Sequence, residues 1–148
     1  MKPHDHKSVL VIPPALVDDA NAAAVAIDTK GYNYARLKLQ VGATDIAATA
    51  LYLTESDDNS TYTNVSGTVF GTSLSIAGAA SALPSSTSDN TIHVIDVDLK
   101  GRKRYLKPVL TIGNGSTGAY VSMVCDLFHG DKLPSTATEM GVTQVVRV

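Results

Sequence analysis

From Ile92 to Phe128 the chain reads IHVIDVDLKGRKRYLKPVLTIGNGSTGAYVSMVCDLF, apolar and polar residues alternating in pairs and broken twice by short polar links. Such alternation puts successive side chains on opposite faces of a strand. It predicts a strand over residues 92–99, with His93, Ile95, Val97 and Leu99 on one face and Ile92, Val94, Asp96 and Asp98 on the other. The basic link 100–104 leads into a second strand over 105–112. The Gly/Asn/Ser/Thr loop 113–118 leads into a third over 119–128. Short polar breaks between β-branched runs read as the turns of an antiparallel sheet.

The same period recurs upstream. Residues 34–41 place Leu37, Leu39 and Val41 on one face and Arg36, Lys38 and Gln40 on the other. Residues 47–55 form the next predicted strand, with Leu51 and Leu53 inward. The polar turn 56–60 (SDDNS) and a return over 62–65 complete a hairpin, since Asp and Asn side chains bond their own backbone in such turns. Residues 8–12 predict a short strand that Pro13-Pro14 ends, because proline removes a ladder donor. Residues 15–26 are Ala-rich and read as a strand more than a helical turn, given Val25-Ala26-Ile27 before the breaker Lys30-Gly31. Residues 69–83 are small and apolar with Gly71 and Gly78 interrupting them, 81–90 form a loop, and 142–148 are a last β-prone run. Roughly eight to ten strands at this spacing predict an all-β chain: one antiparallel β-sandwich or jelly-roll-like domain. The expected limits are an extended N-terminal arm over residues 1–14, the sandwich over 15–133 and a C-terminal tail over 134–148.

Composition narrows the function. A length of 148 residues suits one domain. Net charge is −2 with 18% charged residues, which gives no support to bulk nucleic-acid binding. Aromatics are 5% and Trp is absent, which weighs against sheets that stack sugars or bases on rings. Cys125 is the one cysteine, in mid-strand, and reads as a small buried hydrophobe. Lys2 and Lys7 precede a short apolar run that the two prolines cut, so no signal peptide is expected. No stretch approaches the ~20 apolar residues of a membrane-spanning helix. A cytoplasmic site of assembly, with no membrane partner, is the expectation.

Candidate chemistry is sparse. Gly113, Gly115 and Gly118 match G-x-G-x-x-G, but a dinucleotide site needs that loop to open a helix, and strand patterning follows it here. His4 and His6 flank Asp5, but alternate residues on an arm offer no rigid metal geometry. Asp96 and Asp98 could join Asp57 and Asp58 around calcium only if the fold united them. As a glycosidase pair the first two would need a set separation across a cleft. His93 and His129 stand apart from any nucleophile. The matches to glycosylation sequons at Asn59, Asn64 and Asn114 carry no weight without a secretory signal. Neither an enzyme nor a cofactor or metal site is expected.

Charge placement says more than net charge. From residue 41 to 99 the chain carries seven acidic residues and no Lys or Arg. Lys100, Arg102, Lys103, Arg104 and Lys107 follow at once. These five are the candidate interaction surface, since such asymmetry steers self-association or docking. The alternative is two surfaces that neutralise each other within one chain.

Three segments together resemble a type of small protein encoded among the head genes of tailed bacteriophages. They are LYLTESDDNSTYTNV (51–65), IHVIDVDLKGRKRYLKPVL (92–110) and the glycine loop with its following strand (113–127). The resemblance covers residues 34–128 and is one of pattern, without a catalytic signature. It implies a capsid decoration, or cement, protein: a β-sandwich or jelly roll on the outer shell, usually a homotrimer, clamping neighbouring major capsid subunits. The expected partners are the major capsid protein and further copies of the chain, with no nucleic acid. Another virion part (tail tube, head-fibre base or connector) and a carbohydrate-binding or adhesive β-module are the alternatives.

Overall fold

The computed structural model describes residues 6–131 and 136–146. The described residues form nine strands and no helix: β1 (His6–Val17), β2 (Ala20–Asn21), β3 (Ile27–Asp28), β4 (Tyr34–Thr44), β5 (Ala48–Ser56), β6 (Thr63–Asn64), β7 (Thr91–Asp98), β8 (Tyr105–Ile112) and β9 (Ala119–Phe128). Every pairing is antiparallel. One sheet has the order β1-β9-β4-β7. The other has the order β2-β8-β5-β6, with β3 also paired to β8.

The pairings are nested. β1 pairs with β9, β2 and β3 with β8, β4 with β7, and β5 with β6. The chain therefore doubles back as one long ribbon, and the ribbon wraps so that its halves lie in two facing sheets. The contacts β9–β4 and β8–β5 join its turns. This is the jelly-roll wind, and the all-β antiparallel sandwich expected from the alternation is the fold found.

The alternation works because each strand turns one side chain in two toward the space between the sheets. Leu37 and Leu39 from one sheet and Leu51, Leu53, Leu106 and Leu110 from the other are buried in a single core. Val97 and Ile95 lie inward in β7, while Asp96 and Ile92 lie outward, as predicted.

Two expectations are corrected. The strands over 92–128 are not successive neighbours of one sheet: β7 and β9 share a sheet with β4 between them, and β8 lies in the other. Links 99–104 and 113–118 thus cross between sheets. A crossover and a hairpin leave the same trace, because both keep the apolar face of each strand toward the core. The expected boundary at residue 14 also falls inside a strand. β1 runs through Pro13 and Pro14, which sit exposed at a register shift between Ile12↔Met123 and Ala15↔Val121. β1 is an edge strand, so the missing proline N–H groups face outward and a bulge absorbs them. Val11 and Ile12 are fully buried, so residues 6–14 belong to an edge strand of the sandwich and are not an arm. Residues 1–5 lie outside the described ones.

Past residue 135, Thr136 and Glu139 cap each other reciprocally, with the Thr136 amide donating to Oε2 and the Glu139 amide to Oγ1, both at 3.2 Å. The turn ends at Gly141, whose φ of 73° suits glycine. Met140 is buried, and its carbonyl accepts from the Ser8 amide at 2.7 Å, on the outer side of β1. The β-prone run expected from residue 142 forms no strand over 142–146.

Candidate interaction surfaces

The basic link 100–104 carries its own acidic partners. Arg104 makes a two-point ion pair with Asp28, Nε to Oδ1 at 2.9 Å and Nη2 to Oδ2 at 2.7 Å. Arg102 Nη1 lies 3.5 Å from Glu55, and Lys103 Nζ 3.8 Å from Asp57. Lys107 Nζ stands 5.8 Å from the centre of the Tyr62 ring, a cation–π contact. Lys100 makes no ion pair with the described residues; its amide donates to Asp98 Oδ1 at 2.9 Å. The charge asymmetry of the sequence therefore closes largely within the chain. The fold achieves this by bringing β3 and the β5–β6 turn beside the start of β8.

The outer face of the β1-β9-β4-β7 sheet is divided. At one end Ser8, Asp126, Arg36 and Asp96 form a cross-strand row. Arg36 holds Asp96 through Nε to Oδ1 at 2.7 Å and Nη2 to Oδ2 at 2.9 Å, keeping that carboxyl below its ordinary pKa. Burial works to raise the Asp126 carboxyl. The Lys38 ammonium at 2.5 Å and the Ser8 hydroxyl at 2.6 Å outweigh it and hold the group low.

The other end is richer in apolar residues. Leu10, Val124, Lys38 and Val94 form the next row, followed by Ser122, Gln40 and Ile92, then by Leu16 and Tyr120. Tyr120 and Leu10 are each 51% exposed and Ile92 is 63% exposed. A groove of about 550 Å³ runs between residues 14–16 and 90–92, with Gly42 and Tyr120 in its floor. Sequence reasoning set Gln40 and Ile92 on the faces opposite Leu39 and Ile95 and gave Leu10, Leu16 and Tyr120 no role. The available signal was that β7 is apolar on both faces at its start, Ile92 and Val94 included.

A second groove, of about 530 Å³, follows the free edge of β7, taking residues 92–96 as one wall and residues 67–81 as the other. The Phe70 and His93 rings lie 6.3 Å apart there. Burial pushes the His93 imidazole below its ordinary pKa. Its Nε2 is buried with no hydrogen-bond partner among the described residues.

The glycine loop is already filled by carboxylates. Asp45 accepts from the amides of Ser116, Thr117 and Gly118 at 3.0, 2.8 and 2.9 Å, and Asp18 accepts from the Gly115 amide at 2.7 Å. Three successive N–H groups around one anion form a nest, and here the anion is a side chain of the same protein. The Gly118 amide is the chief reason the Asp45 carboxyl sits low. A Cβ at Gly118 would lie 2.4 Å from the Val17 carbonyl oxygen, so only glycine closes this loop.

The four carboxylates that could have joined around calcium are not brought together. Asp96 pairs with Arg36, Asp57 with Lys103, and Asp98 caps the Lys100 amide, while Asp58 accepts from Ser60 and Thr61 in its own turn. Among the described residues no group of three or more His, Cys, Asp or Glu could hold a metal ion. His4 and Asp5 lie outside those residues, and His6 packs against Phe128 with ring centres 5.6 Å apart. His129 has φ 54°, and its carbonyl accepts from the Asn33 amide group at 2.9 Å. Cys125 is buried, and desolvation pushes its thiol up to about 12. No helix among the described residues is long and apolar enough to cross a membrane. Comparison with protein-family models gives no match, and comparison with curated proteins gives none at a significant level.

Proposed function

We propose that this chain is a structural virion protein that decorates and stabilises the outer surface of a phage capsid by bridging major capsid subunits, without catalysis or cofactor. The supporting observation is the apolar end of the β1-β9-β4-β7 sheet, where Tyr120, Ile92, Leu10 and Leu16 stand exposed, all but Leu10 lining one groove. Exposed apolar surface of this kind marks docking sites, and aromatic residues dominate such contacts. The basic link contributes less than its charge suggests, because Asp28, Glu55 and Asp57 occupy its cations. In this reading the protein forms a homotrimer, is made in the host cytoplasm and ends on the head surface.

The test is binding of purified protein to particles that lack it. Tyr120→Asp with Ile92→Asp should abolish binding while leaving the melting temperature nearly unchanged, since both side chains already face water. Full binding by the double variant sinks the assignment of this face.

A second reading, a carbohydrate-binding module, is favoured by the same groove, where the Tyr120 ring lies among Gln40, Asn90 and Ser122. Saturable binding of the monomer to a glycan, lost on Tyr120→Ala, would support it over the first.

A further inference from the structure

The β1-β9-β4-β7 sheet has two edges, and they are treated differently. On the outer side of β1, Ser8 donates to Met140 and Val11 accepts from the Val25 amide. On the outer side of β7, no backbone hydrogen bond arrives from any described residue outside the strands. A long uncovered edge is a template for another strand. His93 lines the 530 Å³ groove along this edge.

The C-terminal segment supplies a complementary feature. After Gly141 every described residue is exposed, Val142, Val145 and Val146 among them. The sequence from Val142 to Val148 alternates, with Thr143, Val145 and Arg147 on one side and Val142, Gln144, Val146 and Val148 on the other. These are strand-forming residues, and of the described ones only Val142 makes a backbone hydrogen bond within the chain, its amide donating to the Ala137 carbonyl at 3.0 Å.

They cannot reach their own β7. Met140 lies outside β1, so a strand outside β7 is five strand spacings away, about 24 Å. The five residues from Met140 to Val145 extend to about 17 Å. Val145 therefore falls short of its own Val94.

We infer that the C-terminal run beginning at Val142 adds as a strand to the free β7 edge of a neighbouring copy. A parallel register brings Val145 beside Val94 and Arg147 toward Asp96, and sets Gln144 beside His93. Backbone pairing supplies affinity and the alternating side chains supply register. Because the tail leaves from the β1 edge and docks on the β7 edge, the contact is head-to-tail, and such contacts close into rings. The inference goes beyond the capsid reading and needs no particle. Its failure would leave particle binding through the Tyr120 face untouched.

The test mixes two single-cysteine chains of different mass, Val145→Cys and Val94→Cys, under mild oxidation; the native Cys125 is buried and stays out of the reaction. Expected is a mixed disulfide of one chain of each kind, and sedimentation of the wild-type chain as a closed oligomer at tens of micromolar. Deleting residues 142–148 should give a folded monomer with an unchanged melting temperature. Absence of the mixed disulfide, or an unchanged oligomer after the deletion, overturns the inference.

Discussion

Arg104 and Asp28 meet in a two-point ion pair with contacts of 2.9 and 2.7 Å, and the same guanidinium stands 4.9 Å from the centre of the Tyr105 ring. The pair ties β3 to the entry of β8, and the Thr29 hydroxyl donates to the Arg104 carbonyl at 2.7 Å beside it. A cation that the sequence offers for docking is thereby engaged in joining two strands.

Replacing Arg104 with Ser should lower the melting temperature by a few degrees at most, because both partners are about half exposed. The loss should shrink in an Asp28→Ser background and at high salt, as for any screened pair. Thermal melts of the four-member cycle check this. Equal losses in both backgrounds would show that Arg104 acts through something other than Asp28.

Ile12→Ala should destabilise the domain by about 2–5 kcal/mol, since Ile12 is 1% exposed and the site cannot collapse fully around the hole. Deleting residues 1–14 removes most of β1 and should leave a molten or insoluble chain. Urea melts and near-ultraviolet circular dichroism read both. A cooperative, near-native melt of the truncated chain would show β1 to be dispensable.

The strands and their inward faces were legible because burial obeys a period of two. Leu37, Leu39, Leu51 and Leu53 could be placed inward from spacing alone. Strand order was not legible, since the core accepts the same apolar face whether 99–104 turns back within a sheet or crosses to the other. Pro13 and Pro14 misled for a related reason: on an edge strand their missing donors cost little, and sequence does not say which strands are edges. The five cations could be picked out, but their partners depend on where β3 and the β5–β6 turn fall, which local pattern does not encode. The Tyr120 groove was hidden because its members come from four separate segments.

Acid should weaken the fold. The carboxyls of Asp28, Asp45, Asp58 and Asp96 are all held below their ordinary pKa, chiefly by Arg104, by the Gly118 amide, by the Thr61 amide and by Arg36 respectively. A group whose native pKa is depressed adds stability that is complete above the unfolded value of 3.8 and is lost as pH falls through the native value. The melting temperature should therefore be flat in these groups down to about pH 5 and fall steeply below about pH 4. Asp45→Asn should lower it at neutral pH and make the acid fall shallower. A parallel pH curve for Asp45→Asn would show that the glycine loop does not depend on that charge.

The decoration role rests on where the protein sits and in what number. Electron cryo-microscopy of purified particles, with quantification against the major capsid protein, measures both. The account predicts density for this jelly roll on the outer surface of the head, in a fixed high ratio to the capsid subunits, with the Tyr120 face against the shell. Density confined to the tail or to a single vertex, or a protein absent from washed particles, would contradict it.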